Sequence, residues 1–131
     1  MEIAFTDREL DVMAVLWELG SGTVSEVRER LADPLAYTTV LSVLRTLEEK
    51  GFVDHEEEGK AHRYFPRVER EAAGKSALAR MVSKLFAGSP EQLVTQLVSD
   101  RSLSEAELKR LRTLLDEQLA RAPRARRGTD R

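Results

Sequence analysis

Three blocks of helical periodicity open the chain. Leu10, Met13, Ala14, Leu16 and Trp17 recur at the spacing of one helix face, behind the capping box Thr6-Asp7-Arg8-Glu9, and Gly20 closes the block. A second box, Thr23-Val24-Ser25-Glu26, starts a short helix with Val24, Val27 and Leu31 inward, ending before Pro34. A third helix is predicted from Tyr37 to Lys50, with Gly51 as its C-terminal stop. The period then changes. Phe52 to Glu56 and Ala61 to Phe65 read as two strands about the turn Glu58-Gly59-Lys60, and Pro66 ends the second.

Beyond Pro66 the pattern is helical again. Residues 69–87 carry Leu78, Met81, Val82, Leu85 and Phe86 on one side. Ser89-Pro90-Glu91-Gln92 offers an N-cap serine with proline at the first helical position, followed by Leu93, Val94, Leu97 and Val98. Ser104 to Glu107 is a third capping box, ahead of Leu108, Leu111, Leu114, Leu115 and Leu119. These helices are too short and too leucine-rich on one face to close a core alone, so their apolar surface asks for a partner. The fold class expected is mainly α with a small β-hairpin wing. A winged helix-turn-helix domain would occupy residues 1–66, a helical dimerisation domain residues 67–121, and a disordered basic tail residues 122–131.

Three helices followed by a hairpin is the order in which a winged helix-turn-helix presents its third helix to the major groove and its hairpin to the flanking backbone. The third helix must then have two different faces. With Thr38 set at 0° and about 100° per residue, Thr38, Thr39, Ser42, Arg45, Thr46 and Glu49 fall on one arc, while Val40, Val43, Leu44 and Leu47 fall on the opposite one. Hydroxyls and a guanidinium are groups that contact phosphates and base edges. An ordinary amphipathic surface helix shows the same solvated face, and winged helices also serve as protein-binding modules.

Charge complicates the picture. Residues 1–66 carry 7 Lys and Arg against 14 Asp and Glu, so the domain assigned to DNA is the acidic one, whereas phosphate neutralisation drives much of DNA affinity. The acids partly sort away from the proposed reading face: none lies between Pro34 and Thr46, and Glu48 falls off the polar stripe, although Glu49 stays on it. Lys60, His62 and Arg63 stand near the wing tip, beside Glu56, Glu57 and Glu58.

At this point the sequence resembles the penicillinase repressor family (BlaI/MecI/CopY type). The matching stretches are Thr6 to Met13 with Leu16-Trp17, Thr23 to Val27, Ala36-Tyr37-Thr38-Thr39-Val40, Leu47-Glu48-Glu49-Lys50-Gly51, and Gly59 to Tyr64 with Pro66. Phe86 to Ser89 and Leu108 to Glu117 continue the likeness over nearly the whole chain except the tail. The resemblance implies a homodimeric repressor on a palindromic operator in double-stranded DNA, controlling β-lactamase or related stress and antibiotic-response genes, with an upstream sensor-protease as a further partner. Tyr37, Thr38, Thr39, Ser42, Arg45, Thr46, Lys60 and Arg63 are the DNA-binding candidates. Leu78, Met81, Val82, Leu85, Phe86, Leu93, Leu97, Leu108, Leu111 and Leu115 are the dimerisation candidates. Three departures limit the transfer. The family often has arginine where Thr46 stands here, the Asn-Phe bond cut in well-known members is replaced by Gln96-Leu97, and the C-terminal cysteines of copper-responsive relatives are absent.

Other chemistries find little support. The chain has no cysteine, no phosphate-cradling glycine loop, no nucleophile elbow and no HExxH, so no catalytic residue, metal or cofactor is expected. His55 and His62 flank the turn and with Glu56 or Glu58 form a conceivable metal set, but read more simply as exposed wing residues. Trp17 and Met13 read as core. No apolar run is long enough for membrane insertion, and the first residues lack the form of a signal peptide, so a cytoplasmic protein is expected.

Overall fold

The computed structural model describes residues 3–100 and 102–123. The elements run α1 (Asp7–Leu19), β1 (Gly22–Thr23), α2 (Val24–Arg30), α3 (Tyr37–Glu49), β2 (Val53–Glu58), β3 (Ala61–Pro66), α4 (Arg70–Leu85), α5 (Pro90–Asp100) and α6 (Glu105–Arg121). Of the tail expected at 122–131, residues 124–131 lie outside the described residues. No helix among the described residues is long and apolar enough to cross a membrane.

Local chemistry sets the helix starts. In α1 the Glu9 amide donates to the Thr6 hydroxyl at 3.1 Å and the Thr6 amide donates to the Glu9 carboxylate at 2.9 Å. The same reciprocal pair forms at Thr23 and Glu26 and at Ser104 and Glu107. Each satisfies two of the amides that a helix start leaves without a partner. Gly20 ends α1 at φ 86°, where its amide reaches the Leu16 carbonyl at 2.7 Å. A left-handed residue of this kind costs glycine nothing and any other residue about 1–2 kcal/mol.

The chain divides into two compact units, Met1–Leu85 and Phe86–Arg131. In the first, β1, β3 and β2 form an antiparallel sheet in that order. The β2–β3 register runs from Val53 opposite Pro66 to Glu58 opposite Ala61, leaving Gly59 and Lys60 as the turn. The two-residue strand β1, which the sequence pattern did not suggest, pairs Gly22 with Tyr64 and Thr23 with Arg63. It brings the start of α2 against the wing.

The core joins Val12, Met13 and Leu16 of α1, Val24 and Val27 of α2, Val40, Leu44 and Leu47 of α3, and Phe52, Val53 and Tyr64 of the hairpin. Burying each large apolar side chain contributes about 1.5–3 kcal/mol. One expectation needs correction here. Leu10 and Ala14 face outward, and Val12 and Val15 take the inward positions. Almost every residue from Leu10 to Trp17 is apolar, so periodicity alone does not choose the arc; packing against α3 and β3 does.

The first half of α4 docks on this unit. Ala73 is buried, the Ser76 hydroxyl donates to the Ile3 carbonyl at 3.1 Å, and the Arg70 guanidinium lies 5.8 Å from the centre of the Trp17 ring. Trp17 itself donates its indole N–H to the Val68 carbonyl at 2.8 Å. Further along α4, Leu78, Met81 and Leu85 are exposed and Val82 is half-buried. In the second unit, Leu97, Leu103, Leu111 and Leu114 line an apolar groove of about 590 Å³ between α5 and α6. Leu108, Leu115 and Leu119 are exposed, and Phe86 and Leu93 are half-buried.

Candidate nucleic-acid interface

Recognition by α3 requires one face fixed in the core and the other open. Val40, Leu44 and Leu47 are wholly buried, and between them on the opposite side Thr38, Thr39, Ser42 and Arg45 are exposed. Tyr37 is 46% exposed at the entry of the helix and Thr46 is half-buried at its far end. Among the described residues no carboxylate pairs with Arg45 or with Lys60 at the wing turn, so both cations are available to phosphates or base edges. The start of α3 differs from those of α1 and α2. Its N-cap, Ala36, supplies no side-chain hydrogen bond, and no acid stands in its first turn. The exposed amides and the positive end of the helix dipole therefore face outward without an internal anion.

Two anchors set the pose of this helix. At its C-terminal end the Lys50 ammonium reaches both carboxylate oxygens of Glu9, at 2.8 and 3.0 Å. Glu9 is only 5% exposed. Burial alone would push its carboxyl up, but hydrogen bonds from Lys50 and Thr6 together with the Lys50 charge hold it below the ordinary carboxylate value. The second anchor joins α3 to the wing, where Nδ1 of His55 meets both oxygens of Glu48 at 2.8 and 2.9 Å. Sequence reasoning missed both. In the sequence Glu9 signals only a cap, and no pattern joins it to Lys50, 41 positions further along.

The wing's other basic side chain, Arg63, is engaged by carboxylates of its own domain. The Arg63 guanidinium is held by Glu58 at 2.7 and 2.9 Å and by Glu26 at 3.1 and 3.3 Å, with the Ser21 hydroxyl at 3.3 Å. These carboxylates raise the Arg63 pKa further above its already high value, and Arg63 in turn lowers those of Glu26 and Glu58. Arg63 is a brace between β2, β3 and α2, while Lys60 keeps the solvent-facing position. The brace also absorbs two carboxylates of a domain rich in them.

His62 is exposed, as expected, but His55 is half-buried, and the two imidazoles stack with centres 4.3 Å apart and planes 18° apart. The buried Tyr64 lies beside both. Its hydroxyl is pushed up by burial and by the Glu48 charge, against the opposing effect of Arg45.

The family model described as penicillinase repressor matches residues 5–117. The penicillinase repressor of Bacillus licheniformis is 25% identical over 114 residues, covering 86% of this chain and 89% of that protein. The methicillin resistance regulatory protein MecI of Staphylococcus aureus (strain N315) is 23% identical over 111 residues, covering 83% and 90%. Among solved structures, a mutant MarR from E. coli complexed with operator DNA superposes with a TM-score of 0.52 at 17% identity, over 88% of this chain and 76% of that one, which is a likeness of fold. With its winged helix-turn-helix and a match across nearly its whole described length, this chain belongs to the penicillinase repressor family of DNA-binding transcriptional repressors, which are not enzymes.

Proposed function

We propose that this protein works as a homodimer on a palindromic operator in double-stranded DNA, with one α3 in the major groove of each half-site and the wing beside the flanking backbone. The observation that carries this reading is the open face of α3. Thr38, Thr39, Ser42 and Arg45 are presented together by three fully buried residues of the same helix. Arg45 can contact a guanine edge or a phosphate, the hydroxyls can donate or accept at either, and Tyr37 and Thr46 flank them. Lys60 takes a phosphate, and Arg63 holds the wing in the position that lets it do so.

Dimerisation is the role proposed for the apolar surface of the helices that follow. Leu78, Met81 and Leu85 of α4, and Leu97, Leu108 and Leu115 of α5 and α6, are exposed. Half-buried Val82 adds to the first unit, and Phe86, Leu93 and Leu111 to the second, so each unit by itself leaves several large apolar side chains incompletely covered. Two reading heads on one dimer raise the effective concentration of the second contact, which offsets the acidity of residues 1–66. The genes controlled are of the β-lactamase or related antibiotic-response class, and the protein acts in the cytoplasm. A sensor-protease is the corresponding partner for release. Gln96 and Leu97 are exposed but lie within α5, so a cut there requires that turn to unwind first.

The test is binding of the full chain to fragments of its own upstream region at two salt concentrations, with competitor DNA. One palindromic fragment held against competitor, with affinity falling steeply as salt rises, is the expected result. Equal binding to fragment and competitor would refute it and favour the second reading, a protein-binding winged domain, which the excess of 14 acids over 7 bases in residues 1–66 supports.

A further inference from the structure

The junction of α3 and the wing gathers imidazole and carboxylate groups that the DNA-facing residues do not use. Nδ1 of His55 faces both oxygens of Glu48 at 2.8 and 2.9 Å. A carboxylate oxygen of Asp54 lies within 4.8 Å of these ligand atoms. All three residues are half-buried. We propose that Glu48, Asp54 and His55 form a binding site for a divalent transition metal of the zinc class. This inference stands apart from what the open face of α3 binds.

The donor set decides the class of ion. One imidazole nitrogen with carboxylate oxygens suits Zn²⁺, which takes three protein ligands and a water at about 2.0–2.2 Å. Magnesium and calcium instead prefer six or more oxygens. Two ligands of one tetrahedral ion stand roughly 3.3 Å apart at such bond lengths. The Glu48–His55 contact therefore has to open by about half an ångström, within the reach of two half-exposed side chains. To offer its Nδ1 lone pair to the ion, the neutral His55 ring carries its hydrogen on Nε2 instead, so the ion replaces the Nδ1–H···Glu48 contact. Asp54 now accepts the His55 amide at 2.9 Å and lies 3.6 Å from Arg67 at its other oxygen, an exposed ion pair that is weak enough to exchange.

The register explains why this set differs from the one the sequence suggests. Side chains alternate along β2, so Asp54, Glu56 and Glu58 all start from the face opposite His55, but Asp54, adjacent to His55, turns its carboxylate back onto the His55 amide at 2.9 Å and so within reach of the set. Glu58 is also engaged by Arg63. His62, stacked on the face of the His55 ring, cannot point its own ring nitrogen at the same ion in that pose. It fixes the plane of the ligand ring instead. A bound ion would tie the last turn of α3 to the first residues of the wing.

The test is calorimetric titration of the untagged full chain with Zn²⁺, repeated with Co²⁺ and read by its visible d–d bands. Saturable binding of one ion per chain is expected, with a low-coordinate Co²⁺ spectrum and no displacement by equal Mg²⁺. His55→Gln and Glu48→Gln should each weaken binding by about tenfold or more, while His62→Gln keeps it. Far-UV circular dichroism verifies that each variant is folded. Glu48→Gln, which preserves an acceptor for His55, keeps the test open if His55→Gln unfolds. Absence of saturable binding overturns the proposal. So does His55→Gln or Glu48→Gln binding as wild type, or loss of binding in His62→Gln to the same degree.

Discussion

Replacing Glu9 by glutamine isolates the anchor beneath α3. The amide keeps an oxygen for the Thr6 N–H, so the cap survives, but the charge that receives Lys50 at 2.8 and 3.0 Å is gone. A hydrogen bond to a charged group contributes about 1.5–3 kcal/mol net. The Glu9 side chain is 7% exposed but that of Lys50 is 39% exposed, so water screens part of the interaction. A loss of about 1–2 kcal/mol follows. At roughly 4 °C per kcal/mol for a domain of this size, the melting temperature falls by about 4–8 °C. Acidity supplies the second arm. The Glu9 carboxyl is held below its ordinary value of 4.5 in the folded protein. Its contribution is therefore present above the unfolded value and is lost as pH falls through the folded one. Glutamine does not titrate, so the gap between wild type and Glu9→Gln should be full at neutral pH and close in acid. Thermal unfolding followed by circular dichroism across that range measures it. A gap absent at neutral pH, or one that persists unchanged in acid, would refute the argument.

The proposed interface carries two further predictions. Arg45→Ala, at an exposed position of α3, should leave the melting curve unchanged and cost about 1–3 kcal/mol of operator affinity in a fluorescence-anisotropy titration; wild-type affinity in the folded variant would remove Arg45 from the site. Leu115→Asp alters a side chain that is 61% exposed in the single chain, so the chain itself should fold normally, while sedimentation shifts from dimer to monomer and operator binding weakens with it; an unchanged sedimentation profile would place the dimer contact elsewhere.

Much of this architecture is legible in the sequence because its signals are local. The boxes at Thr6, Thr23 and Ser104 place helix starts correctly, since each cap closes within three residues. The α3 face is legible for the same reason: a helix of known pitch fixes which residues oppose one another, and Val40, Leu44 and Leu47 are apolar where the opposite arc is not. What sequence left open depends on residues far apart in the chain. The pairing of β1 with β3 joins positions some forty residues apart, as does Lys50 on Glu9. Arg63 looked like a free wing cation because the sequence does not say which of Glu56, Glu57 and Glu58 meets it across the turn, and nothing nearby announces Glu26, 37 residues away. His55 looked solvated because Glu48 reads as a surface residue until the hairpin folds back on the end of α3.

The sequence by itself determined the order of the helices and the hairpin, the two faces of the third helix, and the family to which the chain belongs. Tertiary structure alone decided which arc of α1 goes inward, which cations remain available at the interface and which are consumed by internal carboxylates. The physical reason is the range of the forces involved. Caps, turns and helical periodicity are satisfied within a turn or two of chain, whereas a charge is assigned its partner only when packing brings distant side chains within hydrogen-bond reach.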